Sequence, residues 1–180
     1  MKYEIRAVRS DEWSAVKELR LAALRDPVAP LAFMETYEQA SAQPDAFWKD
    51  RVAGASQGTA VRQFVAVRSD GGWDGTVVAL IEEAGAEDFY GRVVERRQAQ
   101  LVGVFVRSGA RGRGLTEALF SAAVDWALGI DGVTRVRLHV HEDNARAAGF
   151  YRKFGFVRTG GTVPNPGYPP KVDHEMVWQP

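Results

Sequence analysis

Apolar and polar residues change period several times along this chain, and each change marks an element. Tyr3 to Val8 alternates and predicts a first strand. Ser10 or Asp11 is placed to cap a helix running to about Arg25, with Trp13, Val16, Leu19 and Ala23 on one stripe. Asp26-Pro27 ends it, because proline disfavours helix in the residue before it. Ala29 to Ala42 fits no single period and reads as loop with some helix. Pro44 suits a helix start, followed by Phe47, Trp48, Arg51 and Val52.

Gln63 to Arg68 is a second strand and Thr76 to Ile81 its antiparallel return, joined by the Gly-rich turn Asp70 to Gly75. Ala84 to Arg97 is charged and reads as an exposed connection. Ala99 to Val106 is an apolar strand. Leu115, Ala118, Leu119, Ala122, Ala123 and Trp126 then follow a helical period, stopped by Gly129 and Gly132. Val133 to Val140 is a strand, and Asn144 to Phe154 a short helix closed by Gly155. Phe156 to Val163 and His174 to Trp178 are the last strands, separated by the proline-rich loop Pro164 to Pro170. An early hairpin and a later βαβ unit predict one α/β sandwich on a mixed sheet, with no repeat or linker.

The 180 residues suit one domain. Hydrophobic residues at 46% and charged residues at 26% are an ordinary globular composition. Lys+Arg and Asp+Glu both count 23, so no broad basic footprint for nucleic acid exists. Cysteine is absent, which excludes a thiol nucleophile, a disulfide frame and a thiolate metal site. The 3 histidines do not suggest a zinc centre. The charged, alternating N-terminus does not look like a signal peptide, and no apolar run is long enough for a membrane span. The expected location is the cytoplasm.

The chemistry begins where the strand Leu101 to Val106 meets the next helix through Arg107-Ser108-Gly109-Ala110-Arg111-Gly112-Arg113-Gly114. A strand–loop–helix junction aims unpaired N–H groups and the positive end of a helix dipole at one point, a ready phosphate site. A Walker A loop would match Gly109, Gly114 and Thr116, but its Lys position holds Leu115. A dinucleotide fingerprint would need Gly where Glu117 stands. The acyl-coenzyme A loop R/Q-x-x-G-x-G/A fits Arg111, Gly114 and Thr116. A tight turn that needs glycine for geometry alone is the structural alternative. Downstream, His139 to Phe156 adds a strand, a turn and a short helix carrying Asn144, Ala147, Phe150, Tyr151 and Lys153, ending in Gly155-Phe156.

Both blocks, V-x-V-x(4)-R-G-x-G and N-x-x-A-x-x-F-Y-x-K-x-G-F, resemble the signatures of the Gcn5-related N-acetyltransferase family over about residues 99 to 157. The resemblance implies a single N-acetyltransferase domain over 1–180, with a mixed, mostly antiparallel sheet of about seven strands flanked by about four helices. It implies acetyl transfer from acetyl-coenzyme A to an amine. Main-chain groups of Val104, Phe105 and Val106 would pair with the pantetheine arm. Arg111, Gly112, Arg113, Gly114, Leu115, Thr116 and Glu117 would wrap the pyrophosphate through their N–H groups. Asn144 would bond the pantetheine or nearby backbone, and Tyr151 would protonate the leaving sulfur. Thr116 stands where the family usually has Gly or Ala.

An aliphatic amine has a pKa of about 10.4 and must lose a proton before it attacks. Where the N-terminal acetylases of ribosomal proteins carry a Glu, this chain has His139, whose ordinary pKa of about 6.5 suits a base. His141, on the same strand face, Glu142 or water are the other candidates. The family's acceptor groove would fall on Phe33, Met34, Glu35, Tyr37, Trp48 and the Pro164 to Pro170 loop, though Phe33, Tyr37 and Trp48 equally suit packing and Glu35 a solvated surface. Glu35 could attract a cationic amine. Small amine, antibiotic, peptide N-terminus and protein lysine all stay open as acceptors, with no nucleic-acid or membrane partner expected and a homodimer left open. Two other classes compete: a non-catalytic acyl-coenzyme A sensor, and a degenerate phosphate-loop nucleotide enzyme.

Overall fold

A computed structural model describes residues 2–180. Seven strands form one sheet in the order β1-β2-β3-β4-β5-β7-β6: β1 (Tyr3–Ala7), β2 (Val61–Arg68), β3 (Trp73–Glu82), β4 (Gln98–Val106), β5 (Val136–His141), β6 (Phe156–Pro164) and β7 (Val172–Trp178). All neighbours are antiparallel except β4 and β5. The helices are α1 (Trp13–Leu24), α2 (Ala29–Ala32), α3 (Tyr37–Ser41), α4 (Asp45–Ser56), α5 (Leu115–Leu128) and α6 (Ala145–Phe154), with a 3₁₀ turn at Ser108–Ala110. Six α-helices thus replace the expected four, because the ambiguous 29–42 stretch winds into two short ones. α3 carries a complete capping box between Thr36 and Gln39.

The strand period explains how both faces of the sheet fill. On β2, Phe64 and Ala66 join the core under α5, while Val65 and Val67 join the core under α1 and α4. α5 packs on Leu115, Leu119, Phe120, Ala123, Val124 and Ala127. Its apolar stripe is therefore rotated from the expected one, since Phe120 reaches the aromatic cluster of Phe150, Tyr151, Phe154 and Phe156. α1 starts at Trp13 after Glu12, with no side-chain cap from Ser10 or Asp11. Glu12 instead accepts from the Arg9 N–H (2.8 Å) and pairs with Arg6. The Asp70 to Gly75 turn is shorter than expected, because Trp73 already begins β3.

The decisive irregularity is on β4. Ala99 and Leu101 face α5, but beyond Gly103 the parity inverts: Val106 faces α5 and Phe105 turns to the other core. The register moves from Val78–Val102 to Thr76–Phe105, so β4 holds one residue more than β3 across this interval. Gly103 sits at φ +63°, a conformation that favours glycine. Such a bulge bends a strand. β4 and β5 accordingly pair only at Ala99–Val136 and Gln100–Arg137, then diverge.

Candidate active site

The divergence opens a cavity of about 560 Å³ beside β4 and β5, reaching under α2 and down to α6. Its floor is one face of the sheet. Val78 and Leu80 of β3, Gln100 and Val102 of β4, His139 and His141 of β5 and Asp173 of β7 share that face by register. Phe33, Met34 and Glu35 form part of its wall, as does Asn165 of the proline-rich loop. Tyr37 and Trp48 are not lining residues. Trp48 is fully buried in the helical core, and Tyr37 accepts a hydrogen bond from Arg25.

Val104 lines the cavity at the splayed edge of β4, with Phe105 and Val106 following into the two cores. Past them, Gly112 (φ +74°) and Gly114 (φ +75°) turn the chain into α5, and a Cβ at either would meet no atom within 4 Å. Gly114 caps α5 without a side chain, so the N–H groups of Leu115, Thr116 and Glu117 have no helical acceptor. Thr116 lies inside the helix, and the R-G-x-G frame from Arg111 to Gly114 describes the turn. A second cavity of about 310 Å³ sits on this cradle, and Lys153 of α6 adds a positive charge to its wall. The Arg111 guanidinium is committed elsewhere, donating to the Val106 carbonyl (2.8 Å) and to Asp26. Among the described residues lining this cavity, the main-chain groups and Lys153 are left to meet an anion; Arg113 lines a separate cleft beside Arg25 and Arg68.

α6 is fixed at both ends. Asn144 accepts from the Ala147 N–H (3.2 Å) and Gly155 at φ +119° ends the helix. Asn144 thus spends its carbonyl on the helix cap and keeps its amide N–H₂ for the cavity it lines. Tyr151 lines the same cavity, its ring stacked on Phe120 at 5.5 Å, and burial pushes its phenol up to about 12.

The charged connection from Ala84 to Arg97 is mostly exposed, as its composition suggests, but Asp88, Tyr90 and Val94 turn inward. The Asp88 carboxylate accepts from the Tyr90 and Arg92 N–H groups (2.9 Å each) and folds the segment into a tight turn. That turn delivers Tyr90 to the cavity wall, where its hydroxyl donates to Asp173 (2.9 Å) and its ring lies 4.8 Å from His139. Burial and Asp173 both hold the Tyr90 phenol well above its ordinary range. Beneath it, Arg137 binds Glu82, Asp88 and Glu175 at 2.8–3.0 Å. These carboxylates keep the Arg137 guanidinium firmly charged against its burial. Burial would lift Glu175, but Arg137, Thr159 and Arg135 win and bring it down to about 2.

His139 does not have the pKa expected of a base poised near neutrality. Burial, with the Arg137 charge beside it, brings its imidazole down to about 4, and its Nδ1 is buried without a partner. His141 accepts from the Asp143 N–H at Nδ1 (3.1 Å), leaving its proton on Nε2, which is likewise buried and unpartnered. Glu142 is no member of the cavity wall: its carboxylate accepts from the Val172 N–H (3.0 Å). His174 lies on β7, opposite Val140, and lines neither this cavity nor the one on the glycine cradle. Gln100, Tyr90, Asp173 and Arg51 are site residues that the sequence patterns did not reveal, and Lys153 stood in the second block without a role. Asp88 and Gly91 flanking Tyr90 were the one available signal of an ordered turn.

Comparison with known proteins follows the same lines. The sequence model of the acetyltransferase (GNAT) family matches residues 14–156. No curated protein matches the chain. A GNAT-family acetyltransferase from Streptococcus pneumoniae shares the fold with a TM-score of 0.75 at 16% identity, over 98% of each chain. The PaiA N-acetyltransferase of Thermoplasma acidophilum, solved in complex with coenzyme A, superposes with a TM-score of 0.73 at 16% identity over 100% of both chains. A Gcn5-related N-acetyltransferase from Kribbella flavida gives 0.67 at 24% identity, over 97% of this chain and 96% of that one.

Proposed function

The chain belongs to the GNAT family of acetyltransferases, and on that premise we propose that it transfers acetyl from acetyl-coenzyme A to a primary amine by direct attack in a ternary complex. The observation that carries this reading is the edge of β4 left unpaired by β5 beyond Gln100: the cavity that Tyr151 lines meets it at Val104, and the cavity on the glycine cradle meets it at Val106.

In this reading the pantetheine arm adds to the β4 edge at Val104–Val106 as an extra strand, the mode by which extended ligands use an exposed sheet edge. The diphosphate rests on the N–H groups from Gly112 to Glu117, with Lys153 supplying charge. The amine nitrogen attacks the thioester carbon, the C–N bond forms, and the carbonyl oxygen becomes an oxyanion. Its collapse breaks the C–S bond, and the sulfur takes the Tyr151 proton. Tyr151 is protonated at neutral pH. The desolvation that lifts its phenol also lifts a thiol departing beside it. The transfer is then governed by the difference of their ordinary values, about 1.5 units or about 2 kcal/mol.

His139 at about 4 cannot deprotonate a free ammonium. Against an ordinary amine the mismatch is about 6 units, or about 8 kcal/mol. The amine therefore gives up its first proton to solvent, and the neutral imidazole accepts the second once attack has made the nitrogen acidic. Glu35, held by Arg20, takes no part in the proton transfer.

The test has two arms. Acetyl-coenzyme A should raise the thermal midpoint and ATP with magnesium should not; a hundredfold excess over Kd corresponds to about 2.7 kcal/mol. A thiol-release assay over a panel of amines should then show acceptor-dependent turnover. Stabilisation without turnover by any amine would leave an acyl-coenzyme A sensor instead.

A further inference from the structure

The acceptor chamber has a charge arrangement that narrows the substrate class, and the inference rests on the acetyl-transfer reading above. At its helical side stand Arg20, Arg51 and Glu35, with Arg20 and Glu35 near enough to act on the Arg51 charge. Glu35 is taken: its Oε2 accepts from Arg20 at 2.9 Å. Arg20 is further pinned over the Phe33 ring at 4.5 Å. Arg51 has no carboxylate at ion-pair distance among the described residues, so this side carries one uncompensated positive charge facing the cavity. The expected attraction of Glu35 for a cationic amine is thereby cancelled.

The opposite side is the reverse. Among the described residues, the Asp173 carboxylate, 4% exposed, is hydrogen-bonded by neutral donors alone, the Tyr90 hydroxyl and the Asn165 amide (2.9 Å each). On the floor between the two sides, Gln100 is 5% exposed and its Oε1 has no partner, an acceptor waiting for an N–H. An unpaired buried acceptor is costly and is satisfied when a ligand brings the donor. Nδ1 of His139, also unpartnered, lies on the same sheet face.

We propose that the acceptor is an amine that also carries a carboxylate, an amino acid or a close analogue, with Arg51 binding the carboxylate and Gln100 receiving an N–H of the amine. A guanidinium pairs with a carboxylate through two parallel hydrogen bonds, which orients the acceptor as well as attracting it. Asp173 supplies the negative potential on the amine's side. A diamine would set a second ammonium against Arg51, and an amine without an anion would leave Arg51 unanswered.

Matched triples test this: an amino acid, its amide, and the amine lacking the carbonyl group, with an aromatic and an aliphatic series and 1,4-diaminobutane alongside. Thiol release should give a kcat/KM at least tenfold higher for the carboxylate member of the preferred series. Arg51→Gln should narrow that ratio to within about twofold by raising KM with kcat little changed, and Arg51→Lys should restore part of it. Acetyl-coenzyme A stabilisation, measured on each variant, reports folding and cofactor binding separately. Amides, bare amines or the diamine turning over as well as the carboxylates would overturn the proposal and leave acetyl transfer standing. A ratio untouched by Arg51→Gln would overturn the role of Arg51. No thiol release from any triple would overturn the proposal, and only a missing response to acetyl-coenzyme A would take the acetyl-transfer reading with it.

Discussion

Replacing Tyr151 by Phe removes one oxygen and little else. The Tyr151 ring stacks on Phe120 at 5.5 Å and meets Phe156 edge-on at 6.2 Å, contacts that Phe preserves. Among the described residues nothing hydrogen-bonds its hydroxyl, and Tyr151 lines the cavity, so removal of the oxygen should leave the thermal midpoint within about a degree or two. What is lost is a donor to sulfur as it gains charge. A hydrogen bond to a charged group is worth about 1.5–3 kcal/mol, and a positioned general acid about 10²–10⁴ in rate. The expected outcome is therefore a fall in kcat of about 10², with the acetyl-coenzyme A Kd changed less than twofold. Stopped-flow thiol release at saturating substrate, with calorimetry for Kd, measures both. A single-turnover rate within threefold of the parent would refute the role of the hydroxyl. An equal loss in Kd and kcat would show that Tyr151 only shapes the pocket.

Other outcomes follow from the same geometry. Gly114→Glu should weaken acetyl-coenzyme A binding beyond detection in calorimetry while the protein stays folded, because a Cβ there meets nothing within 4 Å and left-handed strain costs only about 1–2 kcal/mol. His139 is held neutral in the fold at about 4 but takes a proton near 6.5 when unfolded. The unfolded chain thus binds more protons between these values, and stability present above pH 6.5 is lost as pH falls towards 4, by about 3 kcal/mol. His139→Leu should flatten that segment of a urea-melt pH series, and a parent curve already flat from pH 6.5 to 4 would contradict the assignment. Arg137→Met should destabilise by about 3–5 kcal/mol, since Glu82, Asp88 and Glu175 then share a half-buried site without their cation. A chemical melt changed by less than 1 kcal/mol would show those carboxylates to be solvated.

Local signals were legible and long-range ones were not. The Gly155 helix stop, the Gly112–Gly114 turn and the succession of seven strands along the chain each depend on neighbours in sequence, and each is where its pattern placed it. β4 looked like an unbroken apolar strand, yet its parity reverses around Gly103, where the register to β3 also shifts. An isolated glycine inside a strand pattern is the warning sign of a bulge. Tyr90 was hidden because its segment is charged; the charge is buried by Arg137, which lies far away along the chain. The pairing of Glu35 with Arg20 likewise depends on how α1 meets the segment after α2, so the sign of the chamber wall followed only from the fold. The imidazole of His139 illustrates the same limit: its identity was visible, but burial and a neighbouring guanidinium set its pKa.

A crystal structure with acetyl-coenzyme A tests the central claim most directly. The pantetheine amides should bond the β4 main chain at Val104–Val106, with the sulfur within reach of the Tyr151 hydroxyl. The diphosphate should lie on the N–H groups between Gly112 and Glu117. A diphosphate lodged in the open cleft lined by Arg25, Arg68 and Arg107, with the β4 edge unpaired, would contradict it.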